Sequence, residues 1–289
     1  MKIGLFGNDY QFEKQKSIQT VFNKLYSLGI EIYVERRLYN YLMKQLSYTP
    51  PINGLIESNQ LSLDMVISVG GDGTFLRTAA WVGRQNIPIL GINTGRLGFL
   101  ADISTDDIET TLEEIFRQEY TIEERSLLEL ESNPPFRGLY NYALNEIAVL
   151  KRDTSSMITI RTCLNGEYLT NYLGDGLLVA TPTGSTAYSM SVNGPIIIPQ
   201  ASNFVLSPVA PHSLNVRPLV IPEDFCIHLK VETRNHNFLA ALDGRSEIYP
   251  SGSEFFIRKA SFTIKLVKHY PQSFYEALRK KLLWGADVR

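Results

Sequence analysis

Residues 64–77, Asp-Met-Val-Ile-Ser-Val-Gly-Gly-Asp-Gly-Thr-Phe-Leu-Arg, constrain the fold more than any other stretch. A short apolar strand runs into a turn holding Gly70, Gly71 and Gly73 around one carboxylate, Asp72, and a helix follows. Glycine lets a ligand approach the main chain, and the first turn of a helix offers unpaired amides, so the segment suits a phosphate-rich ligand. Gly71, Gly73 and Thr74 are the candidate contacts. A carboxylate repels phosphate, so Asp72 is expected to meet a hydroxyl or a metal ion. An ordinary tight turn with Asp72 as helix cap is the competing reading.

The pattern around this turn alternates strand and helix. Ile3–Phe6, Ile30–Val34, Met65–Val69 and Ile87–Ile92 read as buried strands, with a helix from about Thr74 to Gly83. Ile18, Val21, Phe22, Leu25 and Leu28 fall on one helical face, and Gly29 can end that helix. This grammar predicts an α/β domain with a doubly wound parallel sheet over residues 1–120. Ligands of such sheets bind at the carboxyl ends of the strands, where Gly70–Gly73 and Asn93–Gly98 both fall. Ser104 and Asp107 have capping-box spacing for a further helix through Leu112, Ile115 and Phe116, ending near Tyr120.

From Thr121 the period changes to alternating apolar and polar residues, as in Leu127–Glu131, Ala143–Leu150, Met157–Leu164 and Phe262–Val267. A mainly β domain over 121–270 is expected, with a hairpin at Asn165-Gly166 and a looser loop at Asp153–Ser156. A last helix, Gln272–Leu283, within a segment 271–289, places Phe274, Leu278 and Leu282 four residues apart. It needs a partner surface, and docking back on the first domain would supply one.

Two polar features interrupt the β pattern. Asn145-Glu146 sits inside an apolar run, so the pair either lies at an exposed strand edge or needs buried partners. Both can serve one ligand only where the strand bends or ends. The second is Gly174-Asp175-Gly176, followed by Thr181–Ser191, Thr-Pro-Thr-Gly-Ser-Thr-Ala-Tyr-Ser-Met-Ser. Its hydroxyls and amides can bind sugars and phosphates, and Tyr188 can cover a heterocycle or sugar. A Ser/Thr-rich surface turn is the alternative.

Composition excludes several classes. The 289 residues, 44% hydrophobic and 20% charged with a net charge of −2, describe an ordinary soluble chain without the basic footprint of a nucleic-acid binder. The N-terminal residues turn polar too early for a signal peptide, and no apolar run reaches membrane-span length, so a cytoplasmic protein with no membrane partner is expected. Cys163 and Cys226 form no Cys-x-x-Cys pair, and the four histidines are scattered, so no protein-built metal site is expected. P-loop, protein-kinase and α/β-hydrolase motifs are missing.

Taken in order, Gly70-Gly71-Asp72-Gly73-Thr74, Asn145-Glu146, Gly174-Asp175-Gly176 and Thr181–Tyr188 resemble bacterial NAD kinase over nearly the whole chain. Asn193-Gly194-Pro195, Ala210–Leu214 and Leu242-Asp243-Gly244 also look like that family. The resemblance implies transfer of the γ-phosphoryl group of ATP to the 2′-hydroxyl of the adenosine ribose of NAD, with Asp72 contacting that hydroxyl. It implies Asn145 near adenine and Glu146 on ribose hydroxyls, with Asp175, Thr183, Thr186, Ala187, Tyr188, Ser189, Met190, Ser191 and Ala210 holding the remainder. Arg77 faces either phosphate or solvent. Magnesium is expected to arrive with ATP. A dimer or tetramer assembled through the β domain is implied, the dinucleotide site being completed by a neighbouring subunit. The glycine turn alone is shared with diacylglycerol-type lipid kinases, and every residue named would also serve a non-catalytic dinucleotide sensor.

Overall fold

The structure, a computed structural model, describes residues 1–7, 15–57, 61–95, 98–101, 103–152, 156–269 and 273–285. It divides into two compact units, the first comprising Met1–Glu124 with Ile264–Arg289 and the second Arg125–Thr263.

In the first unit the strands are β1 (Lys2–Gly7), β2 (Glu31–Glu35), β3 (Gly54–Ile56), β4 (Met65–Gly70) and β5 (Ile89–Asn93). The helices are α1 (Gln15–Ser27), α2 (Arg36–Gln45), α3 (Asp72–Val82) and α4 (Ile108–Phe116). All the strand pairings among β1–β5 are parallel, in the order β3-β2-β1-β4-β5. This is the doubly wound order, and its direction reverses between β1 and β4, the place where sheets of this order bind ligands at the carboxyl ends. Every residue of β4 and β5 is buried, as expected of strands covered on both faces. Ile18, Val21, Phe22 and Leu25 enter the core, whereas Leu28 lies past the end of α1 and is exposed. Gly29 follows with φ of +68°.

The segment after Ser104 differs from its expected capping box. The Ser104 hydroxyl donates to the Asp107 carboxylate at 2.6 Å instead of accepting a backbone N–H, a 3-10 turn occupies Thr105–Asp107, and α4 stops at Phe116. The two polar side chains satisfy each other, so neither is left to cap. Helix α2 and strand β3 fill a stretch for which no elements were expected.

The second unit carries β6 (Tyr120–Asn133), β7 (Tyr142–Ala143), β8 (Glu146–Lys151), β9 (Ile158–Leu164), β10 (Glu167–Gly174), β11 (Gly176–Ala180), α5 (Tyr188–Ser191), β12 (Asn203–Val209), β13 (Leu219–Pro222), β14 (Ile227–Thr233), β15 (Asn237–Leu242), β16 (Arg245–Pro250) and β17 (Glu254–His269). The outer residues of β6 and β17 belong to the first unit. One antiparallel sheet runs β13-β12-β11-β8-β15-β16, and β10-β9-β14-β17 with β6 and β7 forms the facing layer. Leu177, Val179, Phe238 and Ala240 of the first sheet meet Ile160, Leu229, Phe255 and Ile257 of the second in one core. Asn165 and Gly166 have φ of +50° and +86° and join β9 to β10, the primed two-residue turn that such a dipeptide favours. The expected strand Ala143–Leu150 is broken between β7 and β8, at Asn145.

Strand β17 returns the chain to the first unit, where Leu266 pairs in parallel with Ile89 of β5. Helix α6 (Phe274–Leu282) follows, capped by the Ser273 side chain, which accepts from the Glu276 N–H. The expected start at Gln272 and the loop residues Asp153–Ser155 lie outside the described residues.

Candidate active site

In the first unit the functional loops meet at the carboxyl ends of β4 and β5, where Gly70 is in register with Asn93. Gly71 is the N-cap of α3 and Asp72 its first residue, so Asp72 does not cap its own helix. Its carboxylate instead gathers the neighbouring loop. Oδ2 accepts from the Phe99 N–H at 3.0 Å, and Oδ1 from Leu100 and Ala101 at 3.1 and 3.2 Å. Such closeness demands glycine at 98, because a Cβ there would fall 2.0 Å from Asp72 Oδ1. At Gly71 and Gly73, by contrast, a Cβ would meet nothing within 4 Å beyond its chain neighbours and the backbone of its own helix, which leaves the turn's outer face open to a ligand. Thr74 is buried in the first turn of α3.

Arg77 crosses the switch point. One guanidinium nitrogen donates to the Gly7 carbonyl at the end of β1 and lies 3.7 Å from the Glu35 carboxylate. Its guanidinium is thus held by the protein, with 34% of the side chain exposed. Arg96 and Leu97 of the second loop lie outside the described residues. From α6, Lys281 Nζ stands 3.4 Å from Asp72 Oδ2 and 4.3 Å from the Phe99 ring centroid, and Phe274 packs on Phe99 at 5.9 Å. Nothing in the sequence pattern singled out Phe99 or Lys281.

In the second unit Asn145 and Glu146 sit where the strand breaks. The Asp243 carboxylate holds the break, accepting from the N–H groups of Leu144, Asn145 and Glu146 at 2.7, 2.8 and 3.1 Å. Burial pushes the Asp243 carboxyl up, opposed by those three amides and by Arg245. Thr181 fastens the other side, its hydroxyl donating to the Leu144 carbonyl at 2.6 Å and accepting from the Gly184 N–H at 3.1 Å. Position 184 tolerates no side chain, since a Cβ would lie 2.0 Å from the Asn145 carbonyl oxygen.

This clamp leaves two acceptors without a partner. Asn145 Oδ1 and Glu146 Oε2 are buried with no hydrogen bond among the described residues. Burial, then the neighbouring Asp243 charge, push the Glu146 carboxyl up to about 8, against a hydrogen bond from the Tyr188 N–H. A buried acceptor left unsatisfied costs about 1–3 kcal/mol, so two on one dipeptide mark a place prepared for a donor-bearing ligand.

The 3-10 turn Thr183–Thr186 and helix α5 bring Thr183, Thr186, Ala187 and Tyr188 to this break, with Tyr188 exposed and Thr183 buried. Ser189 differs from its neighbours, because its hydroxyl is buried against Ser207 Oγ at 2.9 Å and only its main chain remains to offer. Met190 is half-buried and Ser191 exposed. Asp175 lies between β10 and β11, its carboxylate 2.7 Å from Lys151 Nζ and its N–H on the Val209 carbonyl, which sets it beside Ala210. Ala210 has φ of +41°, a left-handed backbone uncommon outside glycine.

Among the described residues no three His, Cys, Asp or Glu side chains cluster as metal ligands. Asp72, the carboxylate of the glycine turn, already accepts three amides. Among the described residues no helix is long and apolar enough to cross a membrane.

Two family models cover these two sets of residues, the ATP-NAD kinase N-terminal domain over 3–120 and the ATP-NAD kinase C-terminal domain over 144–269. The chain belongs to the NAD kinase family. It is 52% identical over 289 residues to the NAD kinase of Bacteroides fragilis, covering 100% of both chains, and 47% identical over 288 residues to that of Porphyromonas gingivalis, covering 100% and 99%. An NAD kinase from Archaeoglobus fulgidus in complex with ATP shares the fold with a TM-score of 0.75 at 26% identity, covering 99% of this chain and 98% of that one. A yeast NADH kinase complexed with NADH gives 0.91 at 20% identity, over 100% and 89%, a likeness of fold alone. Asp72 falls in the part matched to the N-terminal NAD kinase domain, Asn145 and Glu146 in the part matched to the C-terminal one.

Proposed function

We propose that this chain transfers the γ-phosphoryl group of ATP to the 2′-hydroxyl of the adenosine ribose of NAD, giving NADP and ADP. The observation that carries the reading is the pair of partnerless buried acceptors, Asn145 Oδ1 and Glu146 Oε2. An adenosine supplies an amine and ribose hydroxyls, donors enough for both positions, whereas a diacylglycerol offers one hydroxyl, the one to be phosphorylated. Thr183, Thr186, Ala187, Tyr188, Ser191, Asp175 and Ala210, with the backbone of Ser189 and Met190, hold the remainder of the dinucleotide.

The 2′-oxygen bonds to the γ-phosphorus as the bridging bond to ADP breaks, and the hydroxyl proton passes to Asp72. Three amides fix that carboxylate, so its work is to orient the hydroxyl and take the proton late, in a loose transition state. The backbone of half-buried Gly71 and exposed Gly73 receives phosphate oxygens at the start of α3. A divalent cation, in this reading magnesium, comes as part of the nucleotide substrate and offsets its charge.

The test mixes purified protein, ATP, magnesium and NAD and detects NADP with an NADP-specific dehydrogenase. Asp72→Asn keeps shape and loses the acceptor charge, so turnover is expected to fall about 100-fold or more with NAD binding retained. Activity on a lipid alcohol but not on NAD would overturn the reading. The exposed apolar residues Tyr168, Leu169 and Leu173 on β10 and Ile248 on β16 support association of copies through the β unit. A monomer by light scattering at micromolar concentration would refute that.

A further inference from the structure

We infer that Lys281, delivered by the C-terminal helix, is a phosphate-contacting residue of the reaction, parked on Asp72 until substrates arrive. The inference rests on the phosphotransfer reading above. A carboxylate has about four places to accept hydrogen bonds. On Asp72 three are filled by the Phe99, Leu100 and Ala101 amides, and Lys281 Nζ lies at the fourth, on Oδ2. That fourth place is the one an acceptor hydroxyl must take to pass its proton to Asp72. The amides are main-chain groups of the loop that Gly98 lets lie close against the carboxylate, whereas Lys281 is a flexible stem at 3.4 Å with 31% of its side chain exposed.

Displacement need not carry the ammonium far. A hydroxyl seated on Asp72 at about 2.6–3.2 Å places the phosphorus it attacks about 3–3.5 Å further on. The ammonium, which now sits over the Phe99 ring 4.3 Å from its centroid, meets the phosphoryl oxygens within a rotation of its own side chain. Arg77, the nearer cation by sequence, is tied to Gly7 and Glu35. A staple for α6 is a poor account of Lys281, because a partly exposed ion pair contributes little stability. Helix α6 has its own anchors in Leu278 and in Phe274 on Phe99.

The experiment compares Lys281→Met, which keeps an unbranched apolar stem and removes the charge, with Lys281→Arg, which restores the charge, and with Lys280→Met as control. Lys280 pairs with Glu276 on the exposed side of α6. For Lys281→Met, kcat is expected to fall about tenfold or more, below the roughly 100–1000-fold of an enclosed oxyanion donor because the ammonium is partly exposed, with KM for NAD within about twofold of the parent. Calorimetry should show ATP affinity falling about fivefold or more while ADP affinity stays within about twofold, because the lost contact is to the terminal phosphate. Lys281→Arg should recover most of both. A smaller fall in kcat, equal losses toward ATP and ADP, or no recovery in Lys281→Arg would overturn the proposal. No NADP from the parent would instead sink the reading on which it rests.

Discussion

Replacing Glu146 by Gln should make the ligand-free protein more stable, by an amount that grows with pH. The side chain is buried beside the Asp243 carboxylate, and its ionisation moves from 4.5 to about 8. At about 1.36 kcal/mol per pKa unit, keeping the ionised form in that place costs on the order of 5 kcal/mol. The sign follows from linkage. A carboxyl with a raised folded-state pKa favours the folded state fully below its unfolded value, and that contribution is lost as pH rises through the folded value. Parent and variant should therefore be equally stable near pH 4.5, differ by about 3 kcal/mol at pH 7, and reach the full difference above about pH 8.5. Gln keeps the size and an acceptor for the Tyr188 N–H, so little else changes. Urea unfolding of both proteins from pH 5 to 9, extrapolated to water, gives the difference directly. Parallel stability curves, or a variant that loses ground as pH rises, would refute the account of Glu146 as a strained acceptor held for a ligand.

Two further substitutions test neighbouring geometry. Gly98→Ala puts a Cβ 2.0 Å from Asp72 Oδ1, so the loop must retreat from the carboxylate. A loss of about 1–3 kcal/mol and a fall in turnover together are expected, and an active variant melting with the parent would show that the loop does not hold Asp72. Tyr188→Ala removes the exposed ring of the residue whose N–H meets Glu146 and should weaken NAD binding about tenfold by calorimetry, at unchanged melting temperature. Unaltered affinity would remove Tyr188 from the site.

Much of the fold was legible because its signals are local. The parallel strands are continuous apolar runs, the Asn165-Gly166 turn has the backbone its dipeptide prefers, and the helical face of Ile18–Leu25 repeats at helical period. Helix α2 also carried a signal, Leu38, Tyr41 and Leu42 at helical spacing, whereas β3 is three residues long and too short to show any period. The candidate site was legible only as its glycines, hydroxyls and carboxylates. What holds them was not. The Asp243 clamp joins residues about a hundred positions apart, Lys281 reaches Asp72 from 209 positions away, and Ser189 turns inward from α5 to a hydroxyl on β12. Such contacts depend on which strands become neighbours, and no window of sequence contains that information.

The way the chain leaves and re-enters the first unit bears on how the protein is made. Strand β5 is buried throughout, and one of its edges is closed by β17, which is synthesised after the whole of Arg125–Thr263. At about 5–20 residues per second the ribosome needs on the order of ten seconds for that stretch. During this interval the nascent sheet exposes an apolar edge able to pair with any extended segment. The growing chain must therefore be shielded, or its first sheet must wait, until the last strand emerges.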